Sequence, residues 1–457
     1  MKRIIYLLSL VLLAVNAAWA DDISVEQALQ IASRFSAIPT QGGAARAKSA
    51  KATTVEPRLA HAVKSKTSQK DNVYVINLGD DQGFVIVAGD DGADAEVLGY
   101  CDHGSFEYDK APVQLKDLLA NYSAGVDSLR LNNVASAKSI SIASAKTMLS
   151  LPEYMGSVVV GPLLTTTWSQ SAPYNNLCPE GCPSGCVPTA VAQVMNYWKW
   201  PKQSGGTILR HNAEGFYRED FPVHTYDWVN MIDDYSGSYT YEQGMAVAQL
   251  MADLGHAFHT TYTPEGSGTA GIFPEMVENF DYDSNYGIEH GHSGKDLIGA
   301  MKQELNSHRP ILYSASSKEG KGHELVVDGY TTNYYFHFNY GWGGSYDGWY
   351  KNGVCRTFDI YPSIYTFVRP RESKRVSQDN INYALLPDST AEILSYNIES
   401  GNDIDLVIPN TVKDEEGNVY KVVRINDDAF TTYCRFREVT IGDNIKEIGR
   451  YALLTAT

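Results

Sequence analysis

The sequence predicts an α+β protein in three parts. A helix-spaced apolar stripe begins at Cys186, runs of strand-forming residues broken by turn signals lie on both sides of it, and a repeated unit stands near the end. At 457 residues the chain is long enough for about three domains, each with its own core.

Met1 to Ala20 has the build of an export signal: Lys2 and Arg3, an apolar run from Ile4 to Val15, then Ala18-Trp19-Ala20 as a small-x-small cleavage site. The apolar run is too short for a membrane span, so the expectation is an exported, extracellular protein. Residues 21–150 are expected to form a small α+β domain. Ser24 caps a short helix with a stripe of Ala28, Ile31, Ala32 and Phe35, and the Gln41 to Lys70 tract reads as a flexible insertion. Val73–Leu78 and Gly83–Ala88 make a hairpin about Gly79-Asp80-Asp81-Gln82, Val97–Tyr100 continues the sheet, and helical spacing returns from Val113 to Tyr122. The small-residue and lysine tract from Ala135 to Lys146 is where a protease would cut. A folded module, a cuttable linker and then a reactive cysteine is the order of a zymogen.

Residues 151–375 are dense in Tyr, Gly and Trp. From Val187 the apolar residues fall at 187, 190, 191, 194, 195, 197 and 198, one buried helical face, with Pro188 in the first turn and Pro201 after the end. Cys186 therefore sits at the helix mouth, where free N–H groups and the helix dipole favour a thiolate and lower its pKa. Gly185 is expected to leave the sulfur accessible. By position alone Cys186 serves equally as a small buried apolar residue or half of a disulfide. A metal site built from Cys178, Cys182 and Cys186 has the wrong spacing for zinc, and no cofactor is expected. Cys178 and Cys182 are a plausible local disulfide, whereas Cys101, Cys355 and Cys434 have no visible partner. A second helix is expected around Tyr241 to Leu254, followed by strands at 311–314, 324–328, 334–338 and 348–350.

In the tail, residues 382–457, Val423-Arg424-Ile425-x-x-x-Ala429-Phe430 recurs 23 residues on as Lys446-Glu447-Ile448-x-x-x-Ala452-Leu453. The pattern resembles bacterial surface-type leucine-rich repeats, and two units are too few for a stable solenoid, so the chain reads as a fragment of something longer. A formal charge of −17 excludes a nucleic-acid binder, because phosphate recognition needs a concentrated basic surface.

A cysteine nucleophile needs a base, and the candidate is His323 in Gly322-His323-Glu324-Leu325-Val326-Val327-Asp328. Val327 stands where a His-Glu-x-x-His zinc motif would need its second histidine. A hairpin about Thr331 would set His323 opposite Asn339, whose side-chain oxygen could then orient the imidazole. His256 with His259, and His290 with His292, lack the acidic or cysteine neighbours of a metal site.

Trp168-Ser169-Gln170-Ser171, Gly185-Cys186-Val187-Pro188-Thr189-Ala190 with Gln193-Val194-Met195, Gly322-His323, and Asn339-Tyr340-Gly341-Trp342-Gly343-Gly344 together resemble the streptopain family of secreted bacterial cysteine peptidases. The likeness runs from about Ser24 to Pro370, since Gly83–Asp91 is similar to part of the family propeptide. It implies a papain-like two-subdomain peptidase behind an inhibitory propeptide. It also implies that Cys186 is the nucleophile, His323 the general base and acid, and Gln170 an oxyanion donor beside the Cys186 N–H, with Asn339 and Tyr340 or Trp342 holding the imidazole. Protein or peptide substrates and a hydrophobic residue two places before the scissile carbonyl follow from the same resemblance. Tyr340 and Pro188 depart from the family's usual tryptophan and alanine, and the short Leu177 to Ser184 loop with two cysteines departs as well. Two other functions fit the sequence: an adhesin whose tail binds a host or matrix protein beside an inactive peptidase domain, and a cysteine amidase or cell-wall hydrolase using the same residues.

Overall fold

A computed structural model of the chain describes residues 22–34, 56–131 and 155–453, apart from 94, 213–214, 265, 270–271, 285, 291–296, 317–321, 352–362, 372–373, 387–388, 397–403, 427–428, 431–435 and 450–451. The expected export signal, the Ala135 to Lys146 linker, His292, Cys355 and Cys434 lie outside the described residues.

In the N-terminal module, Ser24 opens α1 (Val25–Ser33) with a reciprocal capping box: Ser24 Oγ accepts from Gln27 N at 3.3 Å, and Gln27 Oε1 accepts from Ser24 N at 2.7 Å. The sheet is antiparallel, β1 (Arg58–Lys64), β2 (Asp71–Asn77), β3 (Phe84–Ala88) and β4 (Val97–Cys101). Its side chains alternate as a pleat requires. Tyr74, Ile76, Val85 and Val87 pack with Ala28, Ile31 and Ala32 of α1, while Val73, Val75, Phe84 and Ile86 pack against α2 (Val113–Leu131). The flexible tract expected before Lys70 in fact contributes β1, paired with β2 from Arg58↔Asn77 to Lys64↔Asp71. Its weak apolar content hides it; main-chain pairing at a sheet edge makes it a strand.

The middle part has a helical half and a sheet half. Beyond β5 (Val158–Val160) come α3 (Cys186–Trp198), the hairpin β6 (Thr207–Asn212) and β7 (Gly215–Asp220), then α4 (Tyr241–Ala257), which Thr240 and Gln243 start with a second capping box. The short β8 (Thr261–Thr263) and β9 (Gly266–Gly268) precede α5 (Phe273–Phe280). Ala190, Val191 and Val194 of α3, Val247 and Leu254 of α4 and Phe280 of α5 share one core. The sheet half has β10 (Gly287–His290), α6 (Ile298–Asn306), β11 (Ile311–Ser316), β12 (Gly322–Thr331), β13 (Tyr335–Asn339), β14 (Gly348–Lys351) and β15 (Ser363–Thr366). α5 and α6 add to the two helices expected here.

The two modules share one sheet, in the order β1-β2-β3-β4-β14-β13-β12-β11-β15-β10. At the junction Trp349 pairs with Tyr100 and Tyr350 with Gly99. The strands come close because both carry glycine: a Cβ at Gly348 would lie 2.5 Å from the Tyr100 carbonyl oxygen. Tyr122 of α2 straps the joint, donating to the carbonyls of Leu98 at 2.9 Å and Lys351 at 2.7 Å.

The tail consists of β16 (Lys374–Gln378), β17 (Ile381–Leu385), β18 (Thr390–Tyr396), β19 (Ile404–Ile408), β20 (Thr411–Lys413), β21 (Val419–Ile425), β22 (Phe436–Ile441) and β23 (Glu447–Ile448). Its sheet begins at Lys374, ahead of residue 382. The repeated positions are stacked neighbours: Arg424 pairs in parallel with Glu447, and Ile425 with Ile448. Leu406–Ile408 likewise runs parallel to Val439–Ile441. Arg424 joins the tail to the middle part by donating to Ser307 Oγ at 2.6 Å.

Candidate active site

Cys186 is the first residue of α3 and is partly exposed. The N-cap Gly185 offers no side chain to the helix end, so backbone N–H groups there are left for another acceptor. Gly185 has φ +95, and a Cβ on it would lie 3.1 Å from Ser267 Cβ. It is thus needed for the turn and for the close approach of β9, rather than leaving open space. The turn is braced: Gly185 O accepts from Thr189 Oγ1 at 2.8 Å, and Ser184 N donates to Gln170 O at 3.0 Å. That last bond sets Gln170, half-buried, beside the loop that delivers Cys186.

The Glu324 backbone N–H is near enough to the Cys186 sulfur to favour its thiolate, so the sulfur lies beside β12 one residue from His323. His323 is buried, and its Nε2 pairs with Tyr340 O at 3.0 Å. A carbonyl can only accept, so Nε2 carries the hydrogen and Nδ1 is the basic nitrogen. The rings of Tyr340, stacked at 6.3 Å, and Trp342, edge-on at 5.9 Å, enclose the imidazole.

Asn339 does not face His323. The hairpin turns later than Thr331, with Tyr334 left-handed at φ +59, and Val326 is the residue opposite Asn339. A bulge at Asp328, whose carbonyl accepts from Leu163 N and whose carboxylate accepts from Leu164 N, moves the register back by one residue and leaves Asn339 still three residues from His323. Asn339 instead belongs to a closed polar ring: its Oδ1 accepts from Gln193 Nε2 and from Gly341 N, both at 3.0 Å, and its Nδ2 donates to Thr166 O at 2.9 Å. Gln193 Oε1 in turn accepts from Thr166 Oγ1 and Trp168 N. Gly343 N donates to Trp168 O, and Gly341, Gly343 and Gly344 all have positive φ, so this loop depends on glycine. Asn339 is linked to His323 through the backbone, being the residue before Tyr340, whose carbonyl accepts from the imidazole.

Gln193 and Glu324 were not singled out as site residues. A polar residue inside the apolar stripe of α3, and an acid inside the apolar run of β12, are the signals that mark them.

The electrostatics differ from the thiolate expected at a helix mouth. Burial raises the Cys186 thiol above its usual value, against the backbone N–H groups of Glu324, Val187 and Cys186 itself. Burial lowers the His323 imidazole to about 4, opposed by its bond to Tyr340 O. In this form both groups are neutral at pH 7. Cys178 and Cys182, on either side of the Pro179–Gly181 turn, are free buried thiols rather than a disulfide. His256 and His259 contact Arg210.

The N-terminal module reaches the same loop. His103 Nε2 donates to Gly344 O, and His103 Nδ1 pairs with Asp102 Oδ1 at 2.6 Å. Burial alone would lower His103, but Asp102 and Cys101 raise it to about 12.

The sequence profile of the peptidase C10 family matches residues 168–350, and that of the Spi protease inhibitor matches residues 20–126. The thiol protease/hemagglutinin PrtT of Porphyromonas gingivalis is 30% identical over 373 residues, which cover 76% of this chain and 41% of PrtT. Streptopain of Streptococcus pyogenes is 29% identical over 343 residues, 65% of this chain and 81% of streptopain. The solved structure of active interpain A cysteine protease from Prevotella intermedia is 33% identical, with 46% of this chain and 95% of that one covered and a TM-score of 0.40. The chain therefore carries a domain of the peptidase C10 family at residues 168–350 behind a Spi protease inhibitor domain at residues 20–126, and it spans less than half the length of PrtT.

Proposed function

We propose that Cys186 Sγ attacks the carbonyl carbon of a peptide bond in a protein or peptide substrate, with His323 taking the thiol proton and returning it to the leaving amine. A thioester on Cys186 forms, and water activated by His323 hydrolyses it. Gln170 and the Cys186 backbone N–H stabilise the oxyanion, each such donor being worth about 2.7–4 kcal/mol in the transition state. Asn339 positions, Trp342 shields, and Tyr340 supplies the carbonyl that fixes the tautomer. The observation that carries this reading is the contact of the Cys186 sulfur, at the uncapped start of α3, with the residue next to His323.

The N-terminal module keeps the precursor latent while β4 holds β14 and both reactive groups stay neutral. Residues 1–20 direct export, residues 21–150 form the propeptide, and cleavage falls between Ala135 and Val160. The tail from residue 382 holds the enzyme at a surface or on a host or matrix protein.

The test is intact mass over time for purified wild type and Cys186→Ala lacking the signal, with and without a thiol-alkylating peptidyl inhibitor. Loss of the N-terminal module's mass in wild type alone, blocked by inhibitor, supports a self-activating peptidase. Identical processing of both proteins would refute self-activation; an unprocessed wild type whose Cys186 resists alkylation would refute the nucleophile.

A further inference from the structure

The Glu324 side chain has been given no role in the chemistry above, yet besides burial its charge raises the Cys186 thiol, and its surroundings are unusual. In the three-strand ladder β12-β11-β15, Val326 pairs with Leu312 and Leu312 with Tyr365, and these three side chains pack on the core that holds α3. Two residues along, the same ladder sets Glu324 opposite Ser314 and Ser314 opposite Ser363. Residues two apart on a strand share a face, so the side chains of Glu324, Ser314 and Ser363 belong to the face that packs on α3. The layer between sheet and helix changes there from apolar to polar in one step. That step falls where the sulfur of Cys186, the first residue of α3, meets the Glu324 backbone.

The Glu324 carboxyl is 4% exposed. Ser314 supplies its one hydrogen bond, and Oε1 is buried with no partner among the described residues. No lysine or arginine pairs with it among those residues. A buried acid without a cation costs stability, which marks it as a group held for a partner that arrives.

We propose that Glu324 is a specificity-determining residue, the acidic floor of a substrate subsite beside Cys186 that takes the lysine or arginine side chain of a residue flanking the scissile bond. The proposal rests on Cys186 being the nucleophile. A substrate cation would supply the partner that Oε1 lacks, and Ser314 would hold the other carboxylate oxygen. The hydrophobic preference implied by family resemblance gives way at that subsite.

The experiment uses the full chain after its own maturation, with active sites counted by a peptidyl alkylator of Cys186. Fluorogenic peptides are compared in pairs that differ by lysine or norleucine at one position at a time, on both sides of the scissile bond. Wild type should prefer lysine at one position by about tenfold or more in kcat/KM, and Glu324→Gln should abolish that preference, lysine and norleucine peptides then being cleaved alike. Equal cleavage of every pair by wild type overturns the proposal without any variant, and so does a lysine preference that survives in Glu324→Gln. If Cys186 takes no alkylator and no peptide is cut, the nucleophile assignment fails, and this proposal fails with it.

Discussion

Gln193 Nε2 donates to Asn339 Oδ1 across 3.0 Å, joining the middle of α3 to the end of β13. Both residues are buried, and each has a further partner in the Thr166–Trp168 segment. One bond therefore ties the helix that begins at Cys186 to the loop that holds His323. Gln193→Ala would leave the Asn339 oxygen short of a donor, at a cost of about 1–3 kcal/mol. A lower denaturant midpoint with unchanged slope is the expected outcome; an unchanged midpoint would show the ring to be dispensable.

Cys186 and His323 are both shifted toward their neutral forms, the thiol above its ordinary 9.0 and the imidazole down to about 4. In the intact precursor, iodoacetamide should label Cys186 slowly at pH 7 and faster only as pH climbs past 9. Once the N-terminal module has left, labelling should already be fast near neutral pH. Superimposable profiles for the two forms would show that latency has another origin.

Burial pushes Glu324 up to about 8 from 4.5. A raised carboxyl keeps its proton in the folded state at a pH where the unfolded chain has lost it. Its stability contribution is full below pH 4.5 and is lost as pH rises through about 8. Glu324→Gln should therefore match wild type in stability near pH 4 and exceed it by roughly 3–5 kcal/mol above pH 8. Parallel stability curves across that range would contradict the assignment.

His323 supplies the opposite slope. Its imidazole is lowered by burial to about 4, so the unfolded chain binds a proton that the folded chain refuses. Stability should fall as pH drops from 6.5 toward 4, and His323→Gln should remove roughly 3 kcal/mol of that fall. Acid unfolding followed by circular dichroism compares the two proteins directly.

At the module junction, a methyl group at Gly348 would collide with the Tyr100 carbonyl at 2.5 Å. Gly348→Ala should loosen the β4–β14 ladder, and His103→Ala should remove the bond to Gly344 O, a charge-assisted contact of about 1.5–3 kcal/mol. Each variant should mature faster than wild type in the mass time course. Unchanged rates would place the inhibitory contact elsewhere.

Much of the chain was legible in its residues, because the signals were local. Ser24 and Gln27 lie three apart, the α3 stripe follows helical spacing, and β2 and β3 are joined by a short turn. The His323–Asn339 pairing failed because the turn lies beyond Thr331, with Tyr334 left-handed, and the bulge at Asp328 makes up only one residue of that offset. Gln193 was overlooked as a site residue because its partners are 27 and 146 residues away. The sign of the Cys186 shift was hidden because burial under distant segments outweighs the helix terminus. β1 shows the converse, a strand whose only strong credential is its neighbour.

The shared sheet has a sequel once the precursor is cut. β14 has two partners, β13 and β4, and only β13 stays with the enzyme. Departure of β4 bares a rim of main-chain donors and acceptors at Gly348–Lys351, which water alone then satisfies. Any extended peptide that meets this rim gains a ready ladder, whether it is the severed propeptide returning, a strand of a second enzyme, or a loosened stretch of substrate. Under the proposed maturation, removal of the N-terminal module would thus leave a free main-chain border that a new chain can join.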